Sequence, residues 1–430
     1  MSKRVLMVSH CFAPQNKIGA VRPTKLAKYL LRMGYQVTVL CGKDYTAVQD
    51  PLLARDLEQM QDVHRVVEKS LLRRWKEKKQ PSAITAGKPA EGNEKSAKRK
   101  FLMNTLYLLL ANRADAAFAR ACIKKVKQMG ERYDIVLSSY GPLSVHRIAC
   151  KVKRLGYAEK WIADFRDETN MPFAFQKPRV KRYNRMVTRY ADRITCVSEG
   201  YLRVMGMEDT GRVLYNGFDR EDLQGIAFPT KRKDKLSFVH FGQMYGMQRD
   251  LSPFFTALSE LIADGDIVKE NIALVYAGRD TRGFVMQATN AGLAECLEGH
   301  PFMPRDESLK LQKAAHVLLL PAWNFKNRQG NIPGKLLEYM MLEMPVICCV
   351  SGDVPDSEIA GIIRRTNIGV CYEQANHVED ANRLKAYLRE VIKAYRGNLP
   401  IPFAPNREAV DGFTSKGMAG AMANIIEEWT

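Results

Sequence analysis

The chain has 430 residues, a net charge of +19 and 46% hydrophobic residues. This is a globular composition in a chain too long for one ordinary core, so two domains are expected. Its nine cysteines show no C-x-x-C pair and no His/Cys cluster at zinc spacing, which argues against a structural zinc site and for a reduced, cytoplasmic chain.

The first elements alternate. "RVLMVSH" reads as a strand, "CFAPQNKIGAVRP" as a Pro/Gly loop, "TKLAKYLLRMGY" as a helix and "QVTVLCG" as a strand. That is a βαβ unit of a parallel sheet. Neither the N-terminal apolar run nor "LYLLLANRA" near residue 106 reaches the length of a signal peptide core or a membrane span, so any membrane contact is expected to be peripheral.

Between Arg73 and Lys100 the pattern fails. That stretch holds 10 Lys/Arg and 3 Glu, about +7, with little apolar periodicity. It reads as a mobile basic insertion, either a solvated loop or a surface for anionic lipid headgroups. A basic chain also attracts nucleic acid, the weakest candidate because no nucleic-acid module is recognisable.

Alternation resumes with "YDIVLSSY", the helix "GPLSVHRIACKVKRLG", and the strands "KWIADFRD" and "DRITCVSEG". "VLYNGFDRED" is a turn-rich break. A second series follows: "LSFVHFGQ", a helix near 250–263, "IALVYAGRD", a helix near 283–291, "HVLLLPAW", "NIPGKLLEYMM", "PVICCVS", "IGVCYE" and a helical tail. The expected architecture is α/β, two facing, doubly wound, Rossmann-like domains over 1–215 and 216–406 with a cleft between them. A C-terminal helix, about 407–430, is expected to pack back on the first domain. Ligands of such sheets bind beyond the carboxyl ends of the strands. The dinucleotide fingerprint and the P-loop are both missing, which argues against a dehydrogenase or a nucleoside triphosphatase.

Chemistry-bearing residues collect at those strand ends. Gly19, in the first strand-to-helix loop ahead of Arg22, either lets backbone N–H groups approach an anion or is an ordinary loop glycine. Tyr140 closes "YDIVLSSY". Asp164, Arg166 and Asp167 end the next strand, as a local ion pair or as contacts to a hydroxylated acceptor. Gly242 and Arg249 lie in the loop "FGQMYGMQRD", where a guanidinium suits phosphate oxygens. Gly278 and Arg279 end "YAGRD". Pro333 and Gly334 open a helix whose free N–H groups, with Lys335, suit a diphosphate. Glu338 lies one turn on, where it forms a surface ion pair or accepts from the hydroxyls of a ribose.

Taken together these segments resemble the retaining glycosyltransferases of family 4, which have the two-domain GT-B architecture. "APQNKIGAVRPTKLAKYLLRMGYQVTVL" is similar to the family's opening loop and helix, "DRITCVSEGYL" to its "vS" segment and "LYNGFDRED" to its "NG-x-D" linker. "NIPGKLLEYMMLEMPVI" is similar to the end of its donor site, and "WIADFRDE" to a subgroup with an "ADFRD" segment. The resemblance implies a retaining, metal-independent transferase with no cofactor. It would move a sugar from a nucleoside-diphosphate-sugar to a glycan or lipid-linked acceptor in cell-surface polysaccharide biosynthesis, as a peripheral protein on the inner face of the membrane.

By position, the resemblance implies donor binding by Gly19, Gly242, Arg249, Gly278, Pro333, Gly334, Lys335 and Glu338. It implies acceptor binding by Arg22, Asp164 and Tyr140, and catalytic roles for Asp167, Arg166, Arg249 and Lys335. Two positions depart from the pattern. Gly330 stands where the motif's first Glu belongs, and Gln243 where many relatives carry a basic residue. The alternatives are a catalytically inactive GT-B binding or assembly subunit and a sugar-nucleotide epimerase.

Overall fold

A computed structural model describes residues 2–43, 48–67, 97–169, 177–245, 248–278 and 280–429, without the side chains of 97–111 and of Lys177. Arg279 and most of the expected basic insertion lie outside the described residues. The insertion's last part, 97–100, is not a loop. It opens a long helix, Ala97–Met129, that also takes up "LYLLLANRA".

The chain forms two compact units. The first comprises Met1–Cys196, Asp209–Arg212 and Ala419–Thr430; the second comprises Val197–Glu208 and Val213–Met418. The C-terminal segment is tied into the first unit by ion pairs from Lys3 to Glu427 and from Arg193 to Glu428, each at 3.1 Å.

The first unit is built on β1 (Arg4–Ser9), β2 (Gln36–Gly42), β3 (Val63–Val66), β4 (Tyr133–Ser139), β5 (Ala158–Phe165), β6 (Arg193–Cys196) and β7 (Gly211–Val213). Its sheet runs β3-β2-β1-β4-β5-β6-β7. The order reverses between β1 and β4, which pair in parallel from Val5 opposite Ile135 to Val8 opposite Ser138. Helices α1 (Ile18–Arg32), α2 (Pro51–Leu57), α3 (Ala97–Met129), α4 (Ser144–Arg154) and α5 (Lys177–Tyr190) accompany it. Helix α1 begins before the expected "TKLAKY" and keeps Pro23 inside it. Pro23 is the sixth residue of the helix, past the first turn's free N–H groups, so the helix forgoes one hydrogen bond there. Lys25 and Lys28 of α1 are both buried against Asp56 of α2, at 2.7 and 2.8 Å.

The second unit holds β8 (Leu236–Phe241), β9 (Ile272–Ala277), β10 (Leu297–His300), β11 (Val317–Trp323), β12 (Val346–Ser351) and β13 (Gly369–Glu373). The order is β10-β9-β8-β11-β12-β13, reversing between β8 and β11. Its helices are α6 (Glu199–Met205), α7 (Ser252–Ala263), α8 (Arg282–Asn290), α9 (Arg305–Ala314), α10 (Gly334–Met341), α11 (Glu358–Thr366), α12 (His377–Arg396) and α13 (Arg407–Asp411). The last helix, α14 (Ser415–Glu427), starts in this unit and ends in the first. Strand alternation splits the core in two. Val239, Phe241, Cys348 and Val350 pack on one sheet face, while Phe238, Ile347 and Cys349 pack on the other with Phe254 and Phe255 of α7. Cys348 and Cys349 are thus buried filler, with burial holding both thiols well above their usual range. Among the described residues no helix is long and apolar enough to cross a membrane.

Candidate functional site

In the second unit, the reversal between β8 and β11 brings the carboxyl ends of those two strands together, and β9 pairs on the other side of β8. Gly242 follows β8 and donates its N–H to Ala277 at 3.0 Å. Gly278 follows β9, and a Cβ there would sit 2.7 Å from the Gly242 carbonyl oxygen. A side chain at Gly278 would run into the Gly242 backbone, and glycine at both positions leaves a bare backbone edge.

Arg249 belongs to the loop after β8. Its guanidinium lies 4.6 Å from the ring centre of Tyr245 and 5.2 Å from that of Trp323, and Nη1 donates to the Gln243 carbonyl at 3.1 Å. The two rings meet edge to face at 5.6 Å. Arg328 also lies over Trp323, at 4.8 Å from the ring centre. Arg249 Nε is buried with no hydrogen-bond partner, and burial lowers the group's pKa. Aromatic faces hold the cation without spending its donors, which keeps N–H groups available for an anion.

Pro333 is the residue ahead of α10, extended at φ −63° and ψ 135°, and Gly334 is its first helical residue. No side chain caps that end. One turn on, Lys335 Nζ is bonded to Glu338, which also accepts from Gln312 of α9 at 2.9 Å. Their side chains are 29% and 15% exposed. Lys335 and Glu338 therefore share a face and close on each other.

His240 was not singled out in the sequence and belongs to the same cluster. It is 2% exposed, with Nδ1 donating to the Leu319 carbonyl at 3.1 Å and Nε2 without a partner. A Cβ on Gly242 would lie 3.4 Å from Nε2. Burial pushes its pKa down to about 4, helped by the charges of Arg249 and Lys335.

Gly330 has φ +80°, a left-handed backbone that favours glycine. A Cβ there would meet the Tyr201 amide nitrogen at 2.6 Å and Ser198 Oγ at 2.7 Å. Gly200 stands opposite, its own Cβ position 2.8 Å from the Gln329 carbonyl carbon. The N–H groups of Glu199 and Gly200, at the start of α6, are held by Glu358 at 2.9 and 3.3 Å.

In the first unit, the expected acceptor residues separate into an enclosed pair and an open rim. Arg22 of α1 and Asp164 of β5 form a two-bonded ion pair at 2.9 and 2.6 Å, with side chains 4% and 0% exposed. Thr195 donates to the same carboxylate at 2.8 Å. Burial pushes the Asp164 carboxyl up, but Arg22 and Thr195 together hold it below the ordinary range. Both expected acceptor residues are thus enclosed and bonded to each other, an arrangement that braces the strand end.

Arg166 is at the rim. Its Nε donates to the Tyr140 carbonyl at 2.5 Å, and Asp167 lies 3.9 Å away with a side chain 67% exposed. A Cβ on Gly19 would meet the Arg166 guanidinium carbon at 2.7 Å, and one on Gly141 would meet Nη2 at 2.7 Å. Two glycines thus cradle one arginine, so in this unit Gly19 makes room for Arg166. Tyr140 is 8% exposed, packed on Phe165 at 5.4 Å between ring centres, and burial pushes its pKa up to about 12. His146, another residue the sequence reading passed over, is buried beside it, bonded to Ser138 at 2.8 Å and driven down to about 3 by burial.

No protein-family model matches the chain, and no curated protein matches it in sequence. Solved structures do match. A glycosyltransferase from Rickettsia africae is 13% identical over 99% of this chain and 98% of its own, with a TM-score of 0.56. The lipopolysaccharide outer core galactosyltransferase WaaB is 13% identical over 99% of this chain and 100% of its own, with a TM-score of 0.56. Sucrose-phosphate synthase from Thermosynechococcus elongatus is 13% identical, covers 99% of each chain and has a TM-score of 0.56. At this identity the likeness is one of fold, and the chain has the GT-B fold, with a parallel Rossmann-like sheet in each unit.

Proposed function

We propose that the protein is a retaining glycosyltransferase of the family 4 type, moving a sugar from a nucleoside-diphosphate-sugar to a glycan or lipid-linked acceptor in cell-surface polysaccharide biosynthesis. The observation that carries this reading is that the charges of Arg249 and Lys335 both bear on His240, which lies at the end of β8 beside the bare edge at Gly242 and Gly278. The fold likeness to a galactosyltransferase of the lipopolysaccharide outer core supports the choice of product class.

Departure of the diphosphate leaves negative charge on its oxygens and oxocarbenium character on the sugar. In this reading Arg249, Lys335 and the uncapped N–H groups of α10 take up that charge, so the protein supplies the electrophilic help without a metal or cofactor. Glu338 accepts from the ribose hydroxyls once Lys335 turns to phosphate. The acceptor attacks from the face the diphosphate leaves, and the departing phosphate takes its proton. Asp167, the exposed carboxylate beside Arg166, orients the acceptor or serves as base. The chain would work in the cytoplasm, peripherally on the inner face of the membrane through its basic insertion.

Isothermal titration with UDP, GDP and ADP, followed by a thermal-shift panel of sugar nucleotides, tests this. One nucleotide is expected to bind and its sugar conjugate to raise the melting temperature. Binding of none of the three overturns the reading. A second reading, an inactive GT-B binding subunit, is favoured by Gly330, which offers no carboxylate to the sugar. Nucleotide binding without transfer to any acceptor would select it.

A further inference from the structure

A recess of about 360 Å³ opens in the same unit at the carboxyl ends of β12 and β13. That is within the size range of small-molecule sites. It shares neither Lys335 nor Glu338 nor the two edge glycines with the cluster at β8 and β11. One wall is a stripe on α7, where Ser252, Thr256 and Glu260 follow one another at four-residue spacing. The opposite wall is Ser351, Tyr372 and Gln374. Alternation fixes that wall: Ile347 and Cys349 pack on the α7 side of the sheet, and Ser351, two residues further, points the same way.

The polar groups here await partners. Ser351 is 7% exposed, and its Oγ has no hydrogen bond. Tyr372 is 8% exposed, and nothing among the described residues bonds its hydroxyl. Asp250 spends Oδ1 on the Ser252 N–H at 2.8 Å and keeps Oδ2. Gln374 spends Oε1 on the Gly352 N–H at 2.9 Å and keeps both amide hydrogens. No lysine or arginine lines the recess, in a chain of net charge +19.

We propose that this recess binds an uncharged sugar ring, a hexose unit of a glycan, independently of the nucleotide cluster. Adjacent sugar hydroxyls are both donors and acceptors. Carboxylate, hydroxyl and amide groups set around one small space match them. Glu260 is paired with Lys385 at 3.2 Å, so Asp250 is the carboxylate that disfavours a phosphate here and separates this ligand from a nucleotide. The assignment stands on the lining residues and not on the donor reading above.

Saturation-transfer NMR on the full chain tests it, with glucose, galactose, mannose and N-acetylglucosamine as probes and glucosamine as the cationic control. At least one neutral sugar is expected to respond, and saturating UDP, GDP or ADP is expected to leave the response unchanged. Thr256→Trp, at an exposed helix position on the rim, should weaken binding about tenfold or more. Ser351→Ala should weaken it too, with the melting temperature preserved. The proposal falls if no neutral sugar responds, if only glucosamine does, if a nucleotide displaces the sugar, or if Thr256→Trp binds as the wild type does. Loss of nucleotide binding with sugar binding intact would sink the donor reading alone.

Discussion

Gly200 and Gly330 stand face to face so closely that neither position has room for a side chain. Gly330 sits where the resemblance places a carboxylate. The departure is built into the backbone here, since φ is +80° and the start of α6 occupies the space. Gly330→Glu is therefore expected to damage the unit and restore no sugar contact. Strain and overlap together should cost about 3 kcal/mol or more. Thermal denaturation of Gly330→Glu and Gly200→Ala checks this, and a melting temperature equal to wild type in both would contradict it.

Lys335→Ala is expected to weaken nucleoside diphosphate binding by about tenfold or more, because it removes a charge-assisted contact. Glu338→Gln should weaken nucleoside diphosphate binding less than it weakens discrimination between ribose and deoxyribose nucleotides. Titration calorimetry with the two nucleotide types separates these effects. Equal affinities in wild type and both variants would move the donor site elsewhere.

Arg249→Lys keeps the charge and loses the flat guanidinium held between Tyr245 and Trp323. An ammonium gains less from those rings and offers no fork to phosphate. Affinity for the diphosphate should fall by about tenfold while the melting temperature moves little.

Arg22→Ala and Asp164→Ala each break the buried ion pair by removing one partner, so either should cost about 3–5 kcal/mol. The measurement is denaturant unfolding of the full chain. A loss of transfer without loss of stability would favour the acceptor role for these two residues over the brace.

His240 makes stability depend on pH. Its folded pKa, about 4, lies below the ordinary 6.5. Between those values the unfolded chain takes up a proton that the folded chain refuses, so stability declines as pH falls below about 6.5, by up to about 3 kcal/mol. His316, also near 4 through burial, adds to the same slope. In His240→Asn the amide nitrogen replaces Nδ1 toward Leu319 and cannot titrate. Its melting temperature should vary less between pH 7 and pH 4 than the wild type's, and an unchanged slope would contradict the assignment.

The apolar strands announced themselves in sequence: "RVLMVS", "YDIVLSS", "VLLLPAW" and "VICCVS" each became a central strand. What stayed hidden was polar or mixed. β10 is "LEGH", an edge strand with one wet side, and α5 is "KPRVKRYNRMVTRY", whose apolar stripe is drowned in arginine. In the candidate site, the pairing of Lys335 with Glu338 followed from helical spacing. The packing of Gly19 against Arg166 and the unpaired nitrogen of His240 depend on residues far apart in the chain, and spacing alone carries no trace of them.

The Lys335–Glu338 bond has one more consequence, for selectivity. A lone phosphate that captured Lys335 would strand the Glu338 carboxylate with only Gln312 for company. A ligand bringing hydroxyls but no phosphate would have to pull the carboxylate away from its lysine and give the lysine nothing. Only a molecule carrying both groups at the right separation settles both partners at once. The Lys335–Glu338 pair is thus a lock with two wards, which a free phosphate or a free sugar satisfies only by half.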